Sequence, residues 1–183
     1  MRVENLTVRY GDKTVLYNIM LTIPEEGLTF LSGPSGIGKT TLLRVLSGLT
    51  VPQEGKVERS GPAVMLFQED RLFPGLTALE QVETVLPKSR RGEAPRWLEL
   101  VELSDDRDKT PGELSGGMAR RVALSRALAV EGKVWLLDEP VAGVDRERAF
   151  RILSRLKALN RPMLLTGHDP DLAQRCDRTV TLT

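Results

Sequence analysis

Four short apolar runs constrain the fold most: Leu28-Thr29-Phe30-Leu31, Ala63-Val64-Met65-Leu66-Phe67, Val134-Trp135-Leu136-Leu137 and Met163-Leu164-Leu165. None alternates apolar with polar residues, so each suits a strand covered on both faces, as in a parallel sheet under helices. The segments between them read as helices. Thr40 to Gly48 carries Leu42, Leu43 and Leu46 before a glycine stop, Met118 to Val130 carries Val122, Leu124 and Leu128, and Arg146 to Leu159 carries Phe150, Leu153 and Leu156. Strands alternating with helices predict an α/β doubly wound sheet. Val3 to Tyr10 and Val15 to Ile23, joined by the Gly11-Asp12 turn, read as an antiparallel hairpin at one edge. Between Thr84 and Glu113, 13 of 30 residues are charged and Trp97, Leu98, Val101 and Leu103 give one apolar stripe, which predicts a small, largely solvated helical insertion.

Composition narrows the class. A chain of 183 residues is of one-domain size and can bury about 70% of its unfolded surface without a disulfide or metal staple. Lys and Arg total 26 against 25 Asp and Glu, a net charge of +1 that argues against a protein dominated by non-specific nucleic-acid binding. The single cysteine, Cys176, excludes an intrachain disulfide framework and a multi-cysteine zinc site. The longest charge-free stretch, Gly27 to Gly38, has 12 residues, short of the roughly 20 apolar residues of a membrane span. The first residues, Met-Arg-Val-Glu-Asn, lack the apolar core of a signal peptide. The expectation is a cytosolic, single-domain chain.

Each apolar run ends in polar groups. The first leads into Gly33-Pro34-Ser35-Gly36-Ile37-Gly38-Lys39-Thr40, the second into Gln68, the third into Asp138-Glu139 and the fourth into Gly167-His168. Ligands of parallel sheets bind at the carboxyl ends of the strands, so these groups are expected in one crevice. Gly33 to Thr40 fits G-x-x-x-x-G-K-[ST] between a predicted strand and a predicted helix. Its glycines let backbone N–H groups turn around a phosphate, the helix adds its positive N-terminal end, Lys39 supplies a cation and Thr40 a hydroxyl for Mg²⁺. Asp138 suits a Mg²⁺ role through water, and Glu139 is placed to orient or deprotonate an attacking water. His168 is the only histidine; such a residue is commonly structural, but this one follows a buried strand on the same edge. Ser115, Gly116 and Gly117 open a second helix suited to phosphate, with Ser115 as N-cap. Two such helix ends could serve one nucleotide if two copies associate head to tail in a closed dimer.

In this order the motifs resemble the ATP-binding subunit of ABC transporters over essentially the whole chain. The Walker A motif is Gly33 to Thr40, the glutamine loop Gln68, the signature Leu114 to Gly117, the Walker B motif Val134 to Pro140, the D-loop aspartate Asp145 and the switch histidine His168. The resemblance implies a P-loop ATPase with a mainly parallel sheet, divided as an antiparallel part over residues 1–27, a core over 28–69 and 114–183, and a helical insertion over about 70–113. It implies ATP and Mg²⁺ as cofactors and catalytic roles for Lys39, Gln68, Glu139 and His168. Nucleotide contacts are implied at Gly33, Pro34, Ser35, Gly36, Ile37, Gly38, Lys39, Thr40 and Thr41, at Ser115, Gly116, Gly117 and Asp145, and at Tyr10, on which adenine stacks. Metal contacts are implied at Thr40, Gln68 and Asp138. A second copy or a homologue would complete an ATP sandwich, and a transmembrane permease would dock near Arg71-Leu72-Phe73-Pro74-Gly75-Leu76-Thr77, with a solute-binding protein added in an importer. The chain would lie on the cytoplasmic face of the inner membrane, with no nucleic-acid partner expected.

Two departures stand out. Met118 occupies a position where many members carry Gln, and the D-loop reads Val141-Ala142-Gly143-Val144-Asp145, without a hydroxyl. The alternative function is a soluble ABC-type ATPase acting on DNA, RNA or ribosomes, a class usually marked by coiled-coil insertions, tandem ATPase domains or basic extensions. A degenerate structural module is disfavoured by Lys39, Asp138, Glu139 and His168.

Overall fold

The computed structural model describes residues Met1–Thr183. Its frame is a five-stranded parallel sheet and a three-stranded antiparallel sheet. In chain order the strands are β1 (Arg2–Tyr10), β2 (Lys13–Thr22), β3 (Leu28–Ser32), β4 (Glu54–Glu58), β5 (Ala63–Leu66), β6 (Val134–Leu137), β7 (Met163–Thr166) and β8 (Arg178–Thr181). The helices are α1 (Lys39–Leu46), α2 (Ala78–Glu83), α3 (Ala94–Leu100), α4 (Gly116–Ala129), α5 (Arg146–Ala158) and α6 (Pro170–Arg175). No helix is long and apolar enough to cross a membrane.

The parallel sheet runs β5-β6-β7-β3-β8, so the four apolar runs are neighbours and β8 adds a fifth strand beside β3. Side chains alternate across it. Trp135, Leu137, Met163 and Leu165 pack with Phe30 against α2 to α5, whereas Val134, Leu136, Leu164 and Leu31 face α1 and the antiparallel sheet. That two-sided cover is why the runs show no polar alternation.

The antiparallel sheet is larger than the expected hairpin. β4 pairs along β1 with Val3 opposite Val57 and Glu4 opposite Lys56, giving the order β2-β1-β4. Residues 54–58, assigned from sequence to the core, therefore belong with the antiparallel part. The insertion also differs from expectation. Trp97, Leu98, Val101 and Leu103 are almost completely buried and continuous with the core under α4, so the charged surface of this segment overlies a packed interior.

Candidate phosphate-binding and hydrolytic site

The loop after β3 turns back sharply into α1. Gly38 sits at φ +109°, and a Cβ there would meet Leu16 Cδ2 at 2.8 Å, so only glycine lets the loop close against β2. The buried Lys39 ammonium donates to the carbonyls of Gly33 (2.7 Å) and Pro34 (2.9 Å). An ammonium has three donors, which leaves one for an incoming phosphate.

One residue on, Thr40 Oγ1 donates to Asp138 Oδ2 at 2.7 Å, tying the start of α1 to the end of β6. β7 lies between β6 and β3, and its last residue adds a second hydroxyl to Asp138. Thr166 Oγ1 donates to Asp138 Oδ1 at 2.7 Å and accepts from the Glu139 backbone N–H at 2.9 Å. Asp138, 2% exposed, thus has a hydroxyl on each carboxylate oxygen.

Glu139 takes a left-handed backbone, φ +50°, which is costly for a residue with a side chain. Both of its backbone polar groups are fixed: Thr166 holds the N–H, and Arg120 donates through Nε to the carbonyl at 2.9 Å. The turn aims the carboxylate at His168, whose Nε2 lies 2.7 Å from Glu139 Oε1.

Arg120 lies on α4 and is 3% exposed. Its guanidinium donates to the carbonyls of Phe67 (2.7 Å) and Gln68 (3.1 Å), to the Asp138 carbonyl and to Asp70 Oδ1 (2.9 Å). It therefore fastens the segment after β5 to the segment after β6. The Gln68 side chain itself is exposed, and the hydrogen bonds of this residue to Arg120 run through its backbone.

The second helix end is built as its residues predict. Ser115 caps α4 by accepting from the Met118 N–H at 3.3 Å. Gly117 packs so closely on the Gly143 backbone that a Cβ there would collide with the Gly143 carbonyl, and Gly143 is left-handed at φ +70°. The Gly143 departure thus matches a close approach of two backbones. Asp145 caps α5, accepting from the Arg148 N–H at 3.0 Å, and pairs with the Arg148 guanidinium at 3.3 Å. Tyr10 ends β1 at 51% exposure, outside the hairpin core.

The residues fit the groups they would hold. A loop closed on glycine and a buried lysine suits phosphates; a threonine hydroxyl beside one carboxylate suits Mg²⁺, which takes few protein oxygens and keeps phosphates and waters. No group of three His, Cys, Asp or Glu side chains forms a metal cage. Two contributors escaped the sequence reading. Thr166 directly continues the fourth apolar run, level with Asp138 at the end of the third. Arg120 lies four residues before Leu124 on the buried side of α4.

Fold and site together define a P-loop nucleotide hydrolase with a second, signature-type helix end. The family described as "ABC transporter" matches residues 16–142. The chain belongs to this family. It is 42% identical to "Aliphatic sulfonates import ATP-binding protein SsuB 1" of Nocardia farcinica, over 98% of this chain and 76% of that protein. With "Fe(3+) ions import ATP-binding protein FbpC" of Brucella suis it shares 37% identity over 97% of this chain, but it spans only 56% of that protein. Among solved structures it resembles the "Dimeric structure of a post-hydrolysis state of the ATP-binding cassette MJ0796 bound to ADP and Pi", with a TM-score of 0.87 at 28% identity, covering 100% of this chain and 94% of that one. A second dimeric form, described as "Dimeric Structure of MJ0796, a Bacterial ABC Transporter Cassette", gives a TM-score of 0.88 at 30% identity, covering 99% and 93%.

Proposed function

We propose that residues 1–183 form one ATPase unit that binds ATP with Mg²⁺, dimerises on it and uses its hydrolysis to drive a separate membrane permease. The observation that carries this reading is the chain of hydrogen bonds Thr40–Asp138–Thr166–Glu139, with His168 on the Glu139 carboxylate. Mg²⁺ would supply charge neutralisation on the β- and γ-phosphate oxygens, held through Thr40 and, by way of water, Asp138. Lys39 binds the phosphates within the loop. Glu139 orients the attacking water and takes its proton, His168 positions the γ-phosphate beside it, and Gln68 reaches in from its exposed loop. In the dimer, Ser115, Gly116 and Gly117 of one copy face the nucleotide held by the other, Asp145 lies beside that junction, and Tyr10 stacks on adenine.

The permease contact has its own structural support. Buried Gln81 donates to the carbonyls of Phe73 (2.7 Å) and Leu76 (3.2 Å) and accepts from the Phe73 N–H (3.1 Å). The loop is pinned by its backbone while the Phe73 ring stays 53% exposed, beside an open hollow it lines with Leu76, Val85 and Arg126. A fixed, exposed aromatic next to an apolar hollow suits a helix of a membrane subunit. The sulfonate and iron relatives are both named as import ATP-binding proteins, which favours import, with the solute read by the membrane partner.

The test has two parts. Purified chain should hydrolyse ATP with Mg²⁺ and lose ATP binding in Lys39→Ala; near-normal turnover in that variant would sink the cradle assignment. Tagged chain captured from gently solubilised native cells should bring down a polytopic membrane protein in stoichiometric amount. Nucleic acid or ribosomes in its place would move the same chemistry to the soluble class.

A further inference from the structure

A cavity lies at the opposite end of the parallel sheet from the phosphate loop. It encloses about 750 Å³ and opens where the chain enters β5, β6 and β7, bordered by Pro62, Lys133 and Pro162. That volume falls in the range of small-molecule sites. Pro24, Val130 and Val134 add apolar wall, and both tryptophans of the chain, Trp97 from α3 and Trp135 from β6, line it.

Arg161 sits between the two indoles, its guanidinium carbon 4.7 Å from the Trp135 ring centre and 5.3 Å from that of Trp97. No carboxylate pairs with it. Its one hydrogen bond is a long one to the Leu128 carbonyl, 3.3 Å. Burial, and after it the like charges of Arg96 and Arg90, push this guanidinium below its ordinary range. Two carboxylates, Glu25 and Glu131, also line the cavity, but Glu131 is paired with Arg90 and neither reaches Arg161. Of the neighbouring cations, Arg90 is matched by Glu93 and Glu131, whereas Lys133 at the mouth has no ion-pair partner. A further polar group is unmatched. Trp135 Nε1 donates to the Ala127 carbonyl at 3.2 Å, but Trp97 Nε1, on a ring only 3% exposed, is buried without any acceptor. Buried donors are seldom left so; this one belongs to a ring that flanks the unpaired Arg161 cation, and the two together mark a place for an acceptor bearing negative charge.

We propose that this cavity is a binding site, separate from the nucleotide site, for a small organic anion with an apolar body, its carboxylate, sulfonate or phosphate on Arg161 and its body against the indole and proline walls. Neither the phosphate loop nor the signature helix end contributes to it, so occupancy needs no nucleotide.

The chain reports on this site unaided, because its only two tryptophans both line the cavity. Benzoate, titrated into ¹⁵N-labelled chain, should move the Trp97 Nε1–H resonance saturably, with a Kd on the order of 1 mM for so small a probe. Benzyl alcohol, of the same shape without the charge, should leave it in place. Arg161→Met, which keeps the apolar stem, should weaken benzoate by about tenfold or more. Trp97→Phe keeps the ring, removes the orphan donor and should weaken binding while Trp135 still reports it. A shift that does not saturate, equal shifts from benzoate and benzyl alcohol, or unchanged affinity in Arg161→Met overturns the proposal. If Arg161→Met fails to give a dispersed spectrum, the comparison of the two probes on wild-type chain decides. Because the readout uses no ATP, its failure is distinct from a failure of the ATPase reading.

Discussion

His168 Nε2 lies 2.7 Å from Glu139 Oε1, joining the carboxyl ends of two neighbouring strands, β7 and β6. The carboxylate accepts that bond while its backbone is fixed on both sides by Thr166 and Arg120. Replacing Glu139 by Gln keeps the shape and removes the proposed base. Glu139→Gln should bind ATP normally, slow hydrolysis by about 10²–10⁴-fold and accumulate as a dimer on Mg-ATP. Single-turnover hydrolysis and size-exclusion chromatography read the two effects; a variant that hydrolyses at the wild-type rate removes Glu139 from the chemistry.

Arg120 touches no atom assigned to ATP, so its role is positioning. Arg120→Met leaves Asp70 without its ion pair and the carbonyls of Phe67, Gln68, Asp138 and Glu139 without this donor. Loss of a buried, multiply bonded charge should cost roughly 3–5 kcal/mol in denaturant melts. Where the variant is folded, kcat should fall with little change in ATP Kd, because the Glu139 carbonyl is released while Lys39 is untouched. An ATP affinity that drops in step with kcat would argue for general disruption.

Ser115→Arg fills the signature helix end with a bulky cation. The lost cap should cost about 1 kcal/mol of stability. ATP affinity of the isolated chain should stay unchanged while steady-state hydrolysis disappears, since in the proposed dimer the nucleotide of one copy meets this residue only on the other. Isothermal titration and a turnover assay on the same preparation separate the two effects.

Tyr10 ends the central strand of the antiparallel sheet with its ring half in solvent. Tyr10→Ala should leave thermal stability nearly unchanged and weaken ATP by roughly the 1–3 kcal/mol of a base–aromatic stack. An unaltered affinity would place adenine elsewhere.

Glu102 anchors the insertion to α5. The hydrogen bond from Arg151, and after it that from Arg148, holds its carboxyl down to about 2. A carboxylate whose folded value is depressed adds stability above its unfolded value, near 4.5, and loses it as pH falls toward 2. Glu102→Gln should therefore be less stable than wild type at neutral pH, with the gap narrowing through this acid window. Denaturant melts at a series of pH values would show it; a constant gap would mean that the charge contributes nothing.

How much of this was legible from residues alone depends on burial. The parallel strands declared themselves because both faces are covered and polar residues are therefore excluded. β4 did not, since Glu54, Lys56 and Glu58 face solvent on an edge strand and Val57 alone turns inward. The insertion looked solvated because its many charges hide four core residues that only tertiary packing identifies. At the site, Gly33–Thr40 and Asp138–Glu139 were readable from local chemistry, whereas the roles of Thr166 and Arg120 depend on strand order. A hydroxyl on β7 that ties Asp138 to the Glu139 backbone means something only once β7 is known to lie beside β6.

That strand order also bears on how the protein is made. β3, which carries the phosphate loop, has β7 and β8 as its two sheet neighbours, and both lie near the far end of the sequence. On a ribosome the loop would emerge early and wait, with no strand on either side, until residues 163–181 had been translated. Long-range parallel pairing of this kind is slow to form. A nascent chain would acquire ATP affinity all at once, so nucleotide capture would follow the translation of residues 163–181.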